Sequence, residues 1–135
     1  MRASHLVAIC AFVLVSGDAF DSATTAIALV SPQFAGQFVE ATNPIIRLFM
    51  YNLGLASSTG FFVGIALSWG LDVLMIYGAY LSTRSYTGTG LGAILVLMTL
   101  LGLGHYVAGF GNLQLLQSAD LTSSILNSKH ESAVA

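Results

Sequence analysis

Three long apolar stretches constrain the fold of this chain more than any other feature of its sequence. They run over about residues 4–30, 55–81 and 90–115, and each exceeds the roughly 20 apolar residues that a helix needs to cross a bilayer core. Charged residues make up only 7% of the chain, against about a quarter in an ordinary soluble domain, and the mean hydropathy is +0.82. The sequence therefore predicts an all-α integral membrane protein, a bundle of three transmembrane helices.

The segment between the first two stretches is predicted to contain a short helix. Asn43 and Pro44 are typical of a helix start, and Asn-Leu-Gly at 52–54 is typical of a helix stop. Residues 44–51 are rich in apolar and aromatic side chains, so we expect this helix to lie at the membrane interface. Residues 1–116 would then form a single membrane domain, followed by a polar C-terminal tail over residues 117–135.

The stretch SGDAFDSATT at residues 16–25 places two aspartates within the first apolar stretch. One interpretation is a secretion signal that is cut after Ala19. Against it, the helical pattern continues past that point, because Asp18, Asp21 and Thr25 fall three and four residues apart on one helix face. The uncut first span is therefore the favoured interpretation.

Polar side chains recur at helical spacing in all three predicted spans. An ionised group at the bilayer centre costs at least ~3 kcal/mol, so these groups are expected to face other helices, share a proton or meet water. We predict that the three polar faces form one column through the bundle, with Asp21 level with His105. The candidate binding or proton-relay residues are Asp18, Asp21, Thr25, Glu40, Asn43, Asp72, His105 and Asn112.

The second predicted span carries a stripe of small residues. Gly60, Gly64 and Ser68 recur every four residues and lead to Asp72, and small residues at this spacing let helix backbones approach closely. Gly109 lies on the polar face of the third span. The helix-packing candidates are therefore Gly60, Gly64, Ser68 and Gly109.

Two explanations of the polar groups remain open. In the structural one, they hydrogen-bond across helices, and the aspartates are protonated or paired with His105. In the functional one, they form a proton path, an ion site or a catalytic centre. Structure is favoured for His105 taken alone, and also for Glu40 with Asn43 as a helix cap. Because HExxH, GxSxG, CxxC and glycine-rich phosphate loops do not occur in the sequence, we predict no catalytic residue, no metal site and no cofactor.

Three pieces of the sequence follow one another in a distinctive order. They are DSATT at 21–25, EATNP at 40–44 and HYVAGFGNLQLL at 105–116. Together they resemble a small prokaryotic family of multi-pass membrane proteins that is catalogued only as a domain of unknown function. The resemblance covers roughly residues 15–116 and implies a membrane fold without an assigned activity.

The chain departs from the pattern of that family in two ways. Its spacing before the Asn-Pro pair is E-x-x-N-P, and the second span lacks the lysine that family members often carry. If that lysine is the counter-ion of the aspartate that corresponds to Asp21, His105 would have to take the place of the lysine in this chain.

Three functions are compatible with the sequence. The favoured one is a structural or accessory subunit that packs through the Gly/Ser face in a homo-oligomer or a larger membrane complex, since so small a chain buries little alone. The alternative is an ion- or proton-conducting or small-ligand membrane protein that uses Asp18, Asp21, Asp72 and His105. It would have to oligomerise, because three helices are too few to enclose a pore. An intramembrane enzyme is ranked last.

We expect the protein to lie in a lipid bilayer, and we predict that this bilayer is the plasma membrane. With three spans, Arg2 and Arg84 lie on one side without nearby acids, so the positive-inside rule favours a cytoplasmic N-terminus and an outward C-terminus. The net charge of −2 and the lack of a basic run give no indication of a nucleic-acid partner.

Overall fold

The computed structural model of this chain is built from helices. It describes residues 2–31, 44–52, 57–85 and 88–134, and no strand occurs within these ranges. The helices are α1 (Ala3–Val30), α2 (Pro44–Arg47), which continues as a π-helical turn (Leu48–Asn52), α3 (Ser57–Ser85) and α4 (Gly88–Val134).

Three of the helices are long and apolar enough to cross a membrane. The candidate spans are Ala3–Val30, Thr59–Arg84 and Thr89–Asp120. Many large apolar side chains point outward, among them Phe12, Leu74 and Val107, which suits a surface that faces lipid better than one that faces water. The prediction of an all-α bundle with three helices able to span a membrane is confirmed.

α1 and α4 form the main helix pair of the bundle, packed along most of the length of α1. The closest approach is between Gly17 and Gly102. A Cβ atom added to Gly102 would lie 2.6 Å from the carbonyl oxygen of Val13, and one added to Gly17 would overlap the carbonyl oxygen of Gly102. The two backbones are therefore in direct contact, which side chains larger than hydrogen would prevent.

Apolar clusters close the bundle at both ends. One consists of Val7, Leu14, Ala79 and Met98, and the other is built on Ile46 and Phe61 with Ala26 and Leu29 beside them. The end of α3 thus meets the start of α1, and the start of α3 meets the end of α1, so these two helices are antiparallel. The space between the two clusters is polar.

The short helical segment after the first loop packs on α3. Ile46 is 2% exposed, whereas Arg47 is exposed. A Cβ atom added to Gly64 would lie 2.7 Å from the Cα atom of Ile46, so a glycine is needed where this segment crosses α3. Part of the small-residue stripe is therefore covered by the chain itself.

α4 continues well past the predicted end of the third span. The polar segment from residue 117 is helical as far as Val134. Its serines and charged residues are compatible with a helix, and no glycine or proline follows Gly111 in the sequence. At 1.5 Å per residue, the 47 residues of α4 extend about 70 Å, more than twice the ~30 Å of a bilayer core.

Candidate functional site

Four ionisable side chains from three helices meet in the polar middle of the bundle. Asp18 and Asp21 come from α1, Asp72 from α3 and His105 from α4. The three aspartates are 2%, 4% and 8% exposed. Asp72 and His105 lie at the midpoints of their candidate spans, and Asp18 lies within two residues of the midpoint of α1. We call these four side chains the carboxylate–histidine cluster.

Asp21 and His105 make the direct contact between α1 and α4 in this cluster. The Nδ1 atom of His105 lies 3.0 Å from the Oδ2 atom of Asp21. A carboxylate can only accept a hydrogen bond, so the bond to an ionised Asp21 requires a proton on Nδ1. The sequence predicted that these two residues would be level, and the structure brings them into hydrogen-bonding distance.

Two glycines of α4 let His105 come this close to α1. Gly102 lies three residues before His105, at the backbone contact with Gly17. Gly109 lies four residues after it, where an added Cβ atom would be 2.5 Å from the ring of Phe20 and 3.3 Å from the Cα atom of Asp21. Because α4 has a glycine about one turn before His105 and another about one turn after it, no side chain lies between the carboxyl of Asp21 and the imidazole.

Asn112 joins α4 to α1 three residues after Gly109. Its Nδ2 atom lies 2.9 Å from the hydroxyl oxygen of Thr25, 3.2 Å from that of Thr24 and 3.3 Å from Oδ1 of Asp21. The hydroxyl of Thr24 in turn donates to a backbone carbonyl of α1. Asp21 therefore faces two donors from α4, one on each carboxyl oxygen.

Asp18 is surrounded differently from Asp21. The Ser22 hydroxyl donates to its Oδ1 at 3.2 Å, and Nδ1 of His105 is 3.9 Å away, too far for a hydrogen bond. Its buried Oδ2 atom receives no donor from the described part of the chain. The carboxyl of Asp72 is close enough to that of Asp18 for the two to interact electrostatically, and a hydrogen bond between them needs a proton on one of the two carboxyls.

The structure brings together most of the residues that the sequence singled out. Glu40 and Asn43 lie outside the described residues. Ser68, one turn from Asp72, is buried, as are Gly60, Gly64 and Gly109. The candidates that meet at the cluster are Asp18, Asp21, Thr25, Asp72, His105 and Asn112.

Three contributors to the site were not among the candidate site residues predicted from the sequence, although Thr24 belongs to the DSATT piece. Ser22 lies four residues after Asp18, and Thr24 lies three residues after Asp21. Each is therefore about one helix turn from its aspartate and close enough to interact with it. That spacing could have revealed them. Gly17 lies four residues before Asp21 on the same face of α1, but only the position of α4 shows why a glycine is needed there.

The cluster offers groups that gain and lose protons. Among the residues that the structure describes, no group of three or more His, Cys, Asp or Glu side chains is arranged to hold a metal ion.

Comparisons with protein-family models, with curated proteins and with solved structures find no match to this chain. The resemblance to a family of unknown function stays a prediction, and the chemistry of the site is argued from its geometry.

Proposed function

We propose that this chain is an integral membrane protein that exchanges protons at its carboxylate–histidine cluster, as a subunit of an oligomer or of a larger membrane complex. The observation that supports this most is the convergence of Asp18, Asp21, Asp72 and His105 at one depth in an apolar bundle. Ionisable groups inside a membrane are costly, and they are characteristic of proton and ion pathways.

A count of charges supports proton binding by the cluster. With three ionised carboxylates and a neutral imidazole, the cluster would concentrate three negative charges in a medium that barely screens them. Protons distributed over the four groups remove that charge. Proton uptake and release at the cluster therefore change a net charge that is buried in the bundle.

His105 is the member of the cluster that is most open to the outside. Its side chain is 16% exposed, against 2% for Asp18 and 5% for Asp21. Its second ring nitrogen, Nε2, is free for a proton that arrives from outside the bundle, since Nδ1 faces the carboxyls. Three helices do not enclose a pore, so the water or the partner that supplies this proton lies at the surface of the bundle.

Proton flux into liposomes that contain the purified protein tests the proposal. A pH-sensitive dye inside the vesicles reports the flux while a potassium gradient with valinomycin sets the potential. We expect Asp72→Asn to lower the flux at least tenfold. The matched control is Asp120→Asn, the same change at an exposed position near the end of the third candidate span, which should keep the flux. Equal flux in the two variants would contradict the proposal.

A structural or accessory subunit is the second candidate function. It is favoured by the backbone contact of Gly17 with Gly102 and by the bonds of Asn112, which specify one arrangement of α1 and α4. Interhelical hydrogen bonds in membranes contribute about 0.6 kcal/mol on average, enough to select an arrangement. This function predicts that Asp18→Asn and Asp21→Asn leave assembly and activity intact. A partner on the Gly60/Gly64/Ser68 face would also contact Ile46, which covers Gly64.

We further propose that the protein lies in the plasma membrane with its N-terminus in the cytoplasm, and that α2 with the π-helical turn lies at the opposite interface. Arg2 and Arg84 support the orientation, because both are exposed at the same end of the bundle. The guanidinium of Arg84 donates to the hydroxyl of Tyr80 at 2.6 Å, an arrangement suited to a headgroup region. The exposed Arg47 supports the interfacial position of α2.

A further inference from the structure

We propose that the cluster loads its exchangeable proton on the Asp18–Asp72 pair, while Asp21 stays an anion that holds His105 in place. The inference rests on the proton exchange proposed above and deepens it, because it assigns different roles to three carboxyls that look alike in the sequence. Asn112 then becomes a positioning residue, which acts on the proton through Asp21.

The surroundings of Asp21 favour its ionised form. Oδ2 faces Nδ1 of His105 at 3.0 Å, and Oδ1 faces the Asn112 amide nitrogen at 3.3 Å. When Nδ1 carries the imidazole proton, Asp21 accepts a hydrogen bond on each of its oxygens, and a carboxylate in that position is stabilised as an anion. Asp21 is thus held in position by two side chains of α4.

The surroundings of Asp18 favour a proton. It is 2% exposed, its Oδ2 atom lacks a donor from any described residue, and its neighbour on α3 is a second carboxyl. Two carboxylates present only acceptors to each other, so a shared proton supplies the missing donor. A second proton on the pair would remove its remaining charge, which makes the pair the place where the number of protons can change.

His105 lies between the two kinds of carboxyl and can carry the proton. Its Nδ1 atom is 3.0 Å from Asp21 and 3.9 Å from Oδ1 of Asp18. When a hydronium ion in adjoining water gives a proton to Nε2, the imidazole becomes a cation paired with Asp21. The Nδ1–H bond then breaks and an O–H bond forms on Asp18, so the pair gains the proton and the imidazole is neutral with its proton on Nε2. The bond to Asp21 forms again when Nε2 gives its proton to water and Nδ1 takes one from water. The distance of 3.9 Å must shorten to about 3 Å for this transfer.

Infrared spectroscopy of the protein in lipid nanodiscs tests the assignment directly. Protonated carboxyls absorb separately from carboxylates, and the chain has only six acidic residues, so individual contributions can be resolved. We expect a protonated-carboxyl band at neutral pH in the unmodified protein, and its absence would overturn the inference without any variant. Asp18→Asn and Asp72→Asn should each alter the band, and the double variant should remove it. Asp21→Asn and the control Asp120→Asn should leave it in place.

A band that persists in the double variant, or that disappears in Asp21→Asn alone, would overturn the assignment. Asn112→Leu tests whether Asn112 controls the protonation of Asp21 or only helps the helices to pack. Loss of the amide donor should let Asp21 take up a proton, so a new protonated-carboxyl band is expected when this change is made in the double variant. If no band appears there, Asn112 does not hold Asp21 as an anion.

The infrared result and the flux result can fail separately. Liposomes without proton flux, combined with a band that follows Asp18 and Asp72, would overturn the proposed function and leave the charge assignment standing. Flux that depends on Asp72, combined with a band that follows Asp21, would overturn the assignment and leave proton exchange standing.

Discussion

The amide of Asn112 ties the polar face of α4 to three side chains of α1 at once. It reaches Thr25, Thr24 and Asp21 within 3.3 Å, although an amide has only two N–H bonds to donate, so one of them is shared between acceptors. Asn112 is 9% exposed, and its partners are at most 4% exposed. Removal of the amide would leave these buried oxygens without their donor, which costs more than the loss of an exposed hydrogen bond.

We expect Asn112→Ala to lower the free energy of unfolding by about 1–2 kcal/mol, the upper range for an interhelical hydrogen bond together with the lost packing. Unfolding by SDS in mixed micelles measures the change. Gln114→Ala is the matched control, because it removes an exposed amide from the same helix two residues further on. Equal losses in the two variants would show that the Asn112 bonds are not stabilising.

Helical periodicity predicted which residues face the interior, but it could not predict the bonds between them. The spacing of Asp18, Asp21 and Thr25, and that of His105, Gly109 and Asn112, followed from 3.6 residues per turn. The pairing of Asp18 with Asp72, and the different surroundings of Asp18 and Asp21, depend on side-chain directions within about 1 Å. No pattern within one helix contains that information.

At the scale of the helices, the contact of Gly17 with Gly102 determines how α1 and α4 fit together. Each glycine faces backbone atoms of the other helix, so a methyl group at either position has no flexible side chain to push aside. Gly109 differs from this pair because the nearest atoms to its added Cβ belong to the ring of Phe20, and the backbone of Asp21 is further away, at 3.3 Å. The glycines of one helix are therefore unequal, and only some of them are structural requirements.

We expect Gly102→Ala to destabilise the fold by about 1–3 kcal/mol, as overpacked sites generally do, and to weaken the Asp21–His105 contact. Gly104→Ala is the control on the same helix. Nothing lies within 4 Å of a Cβ atom added there, and alanine is the better helix former, so this variant should be as stable as the unmodified protein or slightly more stable. SDS unfolding compares the two, and a Gly102→Ala variant of unchanged stability would contradict the backbone contact.

Three properties of the helices could not be predicted from the sequence. The partner of Gly17 depends on the register of α1 against α4, which no local pattern specifies. The continuation of α4 to Val134 was not predicted, because polarity after residue 117 indicates the end of an apolar span and does not say where the helix ends. The partner of Gly64 was also unpredictable, since the stripe shows that something approaches closely and cannot identify Ile46 as that partner.

At the scale of the whole molecule, three spans would place the two ends of the chain on opposite sides of a membrane. α1 and α4 are parallel, because their contacts advance in the same direction from Gly17 and Gly102 to Thr25 and Asn112. α4 extends past the level at which α1 ends, so its last residues project beyond the bundle on the side of the first loop. Under the orientation proposed above, the end of the bundle that carries Arg2 and Arg84 is the cytoplasmic one.

Labelling of single cysteines in intact cells checks this arrangement. In a Cys10→Ala background, we expect Ser128→Cys to react with a membrane-impermeant maleimide added outside. Ala3→Cys should react only after the membrane is permeabilised, because the basic residues near it are retained in the cytoplasm. Labelling of both cysteines from the same side would contradict three spans, and the reverse pattern would contradict only the orientation.

The contact between Asp21 and His105 also fixes an order of events during synthesis. The two residues are 84 positions apart, so at about 5–20 residues per second a ribosome needs about 4–17 s to make the imidazole after the carboxyl. For that interval a nascent α1 carries two aspartates whose partner does not yet exist. A first span that enters the bilayer ahead of α4 would therefore carry the full cost of its two unpaired carboxyls until His105 has been made.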